Sequence, residues 1–196
     1  MTWVVTGLGN PGPEYENTRH NAGRMAVMHF AKYASAPAWK EDKKSQSLTT
    51  GATVKTTLMA LVLPNTFMNK SGFAVSKLVK SVKAAEKLIV VYDDLDLPIG
   101  KIKISFDRGS GGHKGIESIA AAVRTKKFTR IRIGISPETA GGVMKKPHGE
   151  KEVNDFILKK FKESELDTLK KVFKRVAEAI DVIVAEGPMI AMNHFN

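Results

Sequence analysis

The chain alternates short apolar runs with segments of helical spacing. Trp3-Val4-Val5-Thr6 predicts a short buried strand, and Gly7 to Arg19, rich in Gly, Pro and Asn, follows as loop. His20 to Tyr33 carries Met25, Met28, His29 and Ala31 at helical intervals and predicts the first helix. Pro37 to Ser47 is polar and basic and reads as a surface loop. Thr49 to Lys55 and Thr57 to Leu63 predict two strands, with Pro64 closing the second. Ser71 is placed to cap a helix bearing Val75, Leu78, Val79 and Val82 on one side. Leu88 to Tyr92 is almost wholly apolar, the pattern of an inner strand covered on both faces. Lys101 to Ser105 and Arg130 to Ile135 alternate, the pattern of half-exposed strands. Between them a glycine turn, Gly109 to Gly115, leads into a helix over Ile116 to Arg124. Pro137 to Lys151 reads as a mobile loop and Val153 to Lys160 as a short helix. In the last helix Ser164 and Asp167 suggest a capping box, Leu166, Leu169, Val172, Phe173, Val176, Ile180 and Val184 form the apolar stripe, and Gly187-Pro188 is the stop.

Strands alternating with helices predict one α/β domain over residues 1–196, with a mixed, mostly parallel twisted sheet and helices on both faces. The 42% hydrophobic and 26% charged composition is that of a globular chain and excludes a disordered or fibrous one. Cysteine is absent, which excludes a disulfide framework, a thiolate metal site and a Cys nucleophile. The N-terminus lacks the pattern of a signal peptide, and no apolar run approaches the roughly 20 residues that span a bilayer. A cytoplasmic protein without membrane contact is expected. Its 31 Lys+Arg against 20 Asp+Glu give a net charge of +11, which favours a polyanionic partner, nucleic acid above all.

Gly7-Leu8-Gly9-Asn10-Pro11-Gly12 has the spacing of a dinucleotide-binding turn after a strand. The context fails. Pro11 removes one of the N–H groups that would hold a pyrophosphate, Pro13 follows, and no acid lies between Ala22 and Ala38 to hold a ribose. The better reading is a tight turn that presents Asn10 at the carboxyl end of the first strand.

Three polar clusters follow predicted strands or the first loop: Thr18-Arg19-His20-Asn21, Asn65-Thr66-Phe67-Met68-Asn69 and Tyr92-Asp93-Asp94-Leu95-Asp96. If the strands are parallel neighbours, the clusters share one rim. An imidazole can take a proton from water near neutrality, and a carboxylate on its other nitrogen fixes the tautomer. His20 with Asp93, flanked by Asn10 and Asn69, is therefore a candidate water-activating set that needs no metal, cofactor or covalent nucleophile. Competing readings are a packing or capping role for His20, and a Mg²⁺ site built from Asp93, Asp94 and Asp96 for phosphoester hydrolysis. His29 is expected to pack inside its helix, and His113 to line a site or to serve the glycine turn.

At Gly7-Leu8-Gly9-Asn10-Pro11-Gly12, Tyr15, Thr18-Arg19-His20-Asn21-Ala22-Gly23, Thr66-Phe67-Met68-Asn69-Lys70-Ser71-Gly72, Asp93-Asp94-Leu95-Asp96-Leu97-Pro98 and Gly111-Gly112-His113 the chain resembles the bacterial-type peptidyl-tRNA hydrolases. The resemblance implies a monomeric α/β enzyme, without an obligate protein partner, that hydrolyses the ester between a peptide and the 3′ end of tRNA. It implies that His20 activates water, Asp93 orients His20, and Asn10 senses the peptide backbone. It further implies that Tyr15, Phe67 and Asn69 contact the tRNA end or nearby peptide, and that Arg132, with Lys103 and Arg108, holds tRNA phosphates. The chain departs from the family at Lys114, where Asn is usual. Lysine cannot accept a hydrogen bond from water, so a grip on phosphate, ribose or the oxyanion is the expected substitute. A cation beside His20 would also lower the imidazole pKa. The remaining alternative is an RNA-binding relative with reduced activity.

Overall fold

Seven strands form one sheet in the computed structural model, which describes residues 2–139 and 141–196. They are β1 (Trp3–Gly7), β2 (Lys40–Asp42), β3 (Ser47–Val54), β4 (Thr57–Pro64), β5 (Leu88–Pro98), β6 (Ile102–Phe106) and β7 (Thr129–Ser136), ordered β2-β3-β4-β1-β5-β7-β6. β1 pairs in parallel with β4 and β5, and β5 in parallel with β7. Antiparallel pairs lie at the two edges, β2 with β3, β3 with β4, and β6 with β7. The expected mixed, mostly parallel sheet is what forms.

Helices α1 (Ala22–Tyr33), α2 (Ser71–Ser76), α3 (Val82–Ala85), α4 (Lys114–Val123), α5 (Gly149–Ile157), α6 (Glu163–Glu186) and α7 (Pro188–Phe195) complete the fold. The inner strands read as unbroken apolar runs because both faces of the sheet are covered. Val5, Leu61, Ile89, Val91 and Ile131 turn to the side of α1 and α6, against Val27, Phe30, Val172, Val176 and Ile180. Val4, Val62, Val90 and Tyr92 turn the other way, toward Val75 of α2 and Ile116 and Ile119 of α4. Phe30 is wholly buried, so Phe30→Ala would cost about 3–5 kcal/mol through lost transfer energy and a cavity.

Several boundaries differ from the sequence expectation for local reasons. Within 37–47 the edge strand β2 forms, because its backbone pairs with β3. The helix expected from Ser71 through Val82 is two pieces, since Ser81 accepts a hydrogen bond from Ala84 N and starts α3 afresh. Ser71 donates back to Met68 O rather than capping. In α1 the buried face is Ala26, Val27 and Phe30, while Met28 is exposed. α5 begins at Gly149 and ends at Ile157, earlier than expected at both ends. The box expected from Ser164 and Asp167 is replaced by Glu165, which accepts from Lys162 N at 2.7 Å. Pro188 does not end the helical region but opens α7, where its missing N–H is harmless. No helix among the described residues is long and apolar enough to cross a membrane.

Candidate active site

The three polar clusters meet because β4, β1 and β5 are adjacent and parallel, so their carboxyl ends share one rim. α1 is pressed close against that rim. A Cβ on Gly23 would lie 2.1 Å from Val91 O, and one on Gly7 would lie 2.5 Å from Gly23 O, so only glycines permit the approach. The loop after β1 does not open a helix. A 3-10 turn at Pro13–Tyr15 follows instead, as the rejection of a dinucleotide site requires. Asn21 clasps the loop, with Oδ1 accepting from Asn10 N at 2.8 Å and Nδ2 donating to Asn10 O at 3.0 Å. The Asn10 side chain reaches the next loop, where its Oδ1 accepts from Met68 N at 2.8 Å. That contact turns its Nδ2 away, and this donor makes no hydrogen bond among the described residues. Arg24 braces the same loops, donating to Pro64 O and Asn65 Oδ1.

His20 sits in a 3-10 turn, Arg19–Asn21, and is 8% exposed. Its Nδ1 lies 3.0 and 2.9 Å from the two oxygens of Asp93, which is 3% exposed. Burial alone would raise the Asp93 pKa, but the imidazoles of His20 and His113 outweigh it and hold the carboxyl well below the usual range. The carboxylate therefore takes an N–H from His20 Nδ1, and Nε2 keeps its lone pair. Arg19 anchors the turn from behind. It pairs with Glu165 at 2.7 Å, donates to Lys160 O at 2.8 Å, and stacks on Phe156 and Phe161.

His113 is the third member. Its Nε2 lies 3.1 Å from Asp93 Oδ1, and its ring centroid is 5.1 Å from that of His20. His113 also caps α4, its Nδ1 accepting from Gly115 N at 3.2 Å and Ile116 N at 3.3 Å. Because Nδ1 is an acceptor there, the ring proton sits on Nε2.

The proton placement bears on metal binding. His20, Asp93 and His113 present ligand atoms within 4.8 Å of one another, close enough to hold an ion. A metal ligand needs a free imidazole lone pair, yet His113 spends one on the helix cap and carries a proton on the other nitrogen. The Mg²⁺ reading of the acidic run fails differently. Asp93 faces two imidazoles, Asp94 binds Arg132 Nε, and Asp96 binds Lys146 at 2.6 Å. The three acidic side chains of this run thus go to separate sets of partners.

A cavity of about 940 Å³ opens beside His20 and Asp93. Lys103, Arg108, Lys114 and Arg132 line it, with His113 and Asp94. Lys103 and Arg108 are exposed, and their side chains make no ion pair among the described residues. Arg132, which the resemblance places among the residues that hold tRNA phosphates, is partly engaged within the chain. Its Nε is bound by Asp94, while its two terminal nitrogens make no hydrogen bond among the described residues. Burial would lower the Arg132 pKa, but Asp94 outweighs it and raises it. Arg130 is buried and holds the glycine turn by donating to the carbonyls of Arg108 and Gly109. Lys114 departs from its expected place beside His20, for its amine turns outward to Glu150 at 3.5 Å. On the other side of His20, Tyr15 meets Phe67 edge-on with centroids 6.4 Å apart, and Phe67 is 57% exposed. Asn69 is exposed and its side chain makes no hydrogen bond among the described residues.

The family model described as peptidyl-tRNA hydrolase matches residues 4–196. This chain belongs to the peptidyl-tRNA hydrolase family. The peptidyl-tRNA hydrolase of Pseudothermotoga lettingae is 41% identical over 194 residues, covering 98% of this chain and 96% of that one. That of Carboxydothermus hydrogenoformans is 40% identical over 195 residues, covering 99% and 98%. The crystal structure of peptidyl-tRNA hydrolase from Acinetobacter baumannii superposes with a TM-score of 0.86 at 29% identity, covering 98% of this chain and 93% of that one.

Within this peptidyl-tRNA hydrolase fold, His20, Asp93 and Asn10 are brought to one rim, and Asn69 stands apart at its exposed edge. The sequence leaves two contributors without a settled role. Asn21 carries no role that its sequence context assigns, yet it shapes the Asn10 loop. His113, for which the sequence allows a place in the site or in the glycine turn, fills both, and its position just before a helix start is the available signal.

Proposed function

We propose that this chain hydrolyses the ester joining a peptide, or an N-blocked aminoacyl group, to the 3′ end of tRNA. The observation that carries the reading is the His20–Asp93 pair, in which Nδ1 is committed to the carboxylate and Nε2 is left as a base. His20 Nε2 takes a proton from water, and the hydroxide attacks the ester carbonyl carbon. The tetrahedral oxyanion collapses, the C–O bond to the ribose breaks, and the leaving oxygen recovers the proton from His20. Asp93 stabilises the imidazolium between these steps. The free Nδ2 of Asn10 donates to a peptide carbonyl, a group that an unblocked aminoacyl ester lacks. Tyr15 and Phe67 offer flat apolar contact to the terminal base or nearby peptide. Lys103, Arg108, Lys114 and the terminal nitrogens of Arg132 bind phosphate. The enzyme acts as a single-domain monomer, without metal, in the cytoplasm, a setting its lack of cysteine suits.

Purified protein is expected to release N-blocked amino acid from its tRNA without added metal and in the presence of chelator, leaving unblocked aminoacyl-tRNA largely intact. His20→Ala is expected to lower the rate by about 10²–10⁴-fold. Retained activity in that variant would sink the assignment of the base. Binding of tRNA without turnover in the unaltered chain would favour the RNA-binding reading.

A further inference from the structure

We infer that His113 is a positioning residue that shares Asp93 with His20 and thereby sets how basic His20 is. This rests on the reading of His20 as the base. Three contacts carry it: Nε2 to Asp93 Oδ1 at 3.1 Å, and Nδ1 to the N–H groups of Gly115 and Ile116 at 3.2 and 3.3 Å. The two backbone donors fix the ring as an Nε2–H tautomer, because a second ring proton would point at them. The start of α4 therefore dictates a proton donor to Asp93. Oδ1 of Asp93 receives both imidazoles, at 3.0 Å from His20 and 3.1 Å from His113. Every N–H that Asp93 accepts from His113 spreads its negative charge and leaves less of it to favour the imidazolium of His20. The His113 ring is held in place by Tyr92, packed edge-on against it at 4.8 Å between centroids.

Most other charged groups around the pair are committed elsewhere, and Lys103 and Arg108, which line the same cavity without an ion pair among the described residues, are exposed to solvent. Arg132 is held by Asp94, Arg130 by carbonyls of the glycine turn, and Lys114 by Glu150. Arg19, on the His20 turn itself, is held by Glu165. The groups in direct contact along this chain of hydrogen bonds are Asp93 and His113.

Two substitutions separate the roles of the ring. In His113→Asn the side-chain oxygen can still accept from Gly115 and Ile116, but nothing reaches Asp93. In His113→Gln the amide can reach Asp93, but the cap is lost. With the donor removed, Asp93 acts on His20 alone, the imidazolium is favoured, and His20 titrates at higher pH. The acid limb of kcat/KM, and the His20 titration followed by ¹⁵N NMR, are expected to move up by roughly 0.5–1 pH unit in His113→Asn, with little change in thermal midpoint. In His113→Gln both titrations stay near those of the unaltered chain, while the thermal midpoint falls by about 2–4 °C. A downward or absent shift in the Asn variant, or an equal shift in the Gln variant, overturns the inference. The ¹⁵N spectrum of the unaltered chain decides the tautomer without any variant: a proton on Nδ1 of His113 at neutral pH overturns it as well. The NMR arm needs no turnover, so failure of the proposed activity would be seen separately.

Discussion

Two regions of the same rim hold their charges in opposite ways. At the centre, Asp93 is buried and its oxygens are filled by two imidazoles, the tautomer of His113 fixed by the start of α4 and that of His20 by Asp93 itself. At the margin, the segment before α5 is tied down by Lys146–Asp96 and the first turn of α5 by Lys114–Glu150, pairs between exposed side chains. Asp93 and Asp96 are only three residues apart in one acidic run. Burial separates them. A desolvated carboxylate needs all its partners and resists exchange, whereas an exposed pair in high dielectric is weak and can trade one anion for another. The centre is therefore suited to holding a proton in place, and the margin to letting tRNA phosphates in.

Asp93→Asn is the strongest way to break the centre. An amide would donate to one imidazole, so His20 is expected to turn to its Nε2–H tautomer and lose its base. A rate loss of about 10³–10⁴-fold is expected, with N-blocked aminoacyl-tRNA binding retained. The same pair gives the centre a pH signature. The folded-state pKa of Asp93 lies below its ordinary value of 3.8. Its contribution to stability is thus complete above that value and is lost as pH falls below it. Acid unfolding of the unaltered chain should be steeper below about pH 4 than that of Asp93→Asn. Parallel curves would mean that the buried carboxylate is not linked to folding.

Arg19 tests how the centre is braced. Arg19→Ala leaves Glu165 without its cation and removes the cover over Phe156 and Phe161. A loss of about 3–5 kcal/mol in unfolding free energy is expected by denaturant titration. Asn10→Ala acts on specificity instead. It is expected to lower kcat/KM for the N-blocked substrate about tenfold, the worth of one hydrogen bond, with little effect on the unblocked ester. An equal fall for both substrates would remove Asn10 from peptide recognition.

How far this was legible in the sequence follows from where each residue's partners lie. Apolar runs announced the inner strands because burial on both faces is a local demand, met residue by residue. His20 and Asp93 stood at the ends of elements whose adjacency made them meet. Other features depended on distant backbone. The edge strand β2 exists only because β3 pairs with it. Arg19 meets Glu165, 146 positions away. The tautomer of His113 is fixed by helix N–H groups two and three residues on, but its use depends on Asp93, which only the fold brings near. Lys114 was legible as a departure from the family, yet the Glu150 that draws it outward could not be read from spacing.

Lys114 gives the smallest expected effect and the sharpest test of the margin. Its amine is shared with a single exposed carboxylate, so a tRNA phosphate can take the place of Glu150 without leaving a buried charge. Glu150→Gln should free the amine and lower KM a few-fold at low salt. Lys114→Asn should raise KM by a similar factor, reduce the slope of log KM against log salt by about 0.7–0.9, and leave kcat and its acid limb within error. A change in that acid limb would bring the amine back beside His20, and margin and centre would then be one electrostatic unit. An unchanged salt slope would mean that the Lys114–Glu150 pair never opens to phosphate.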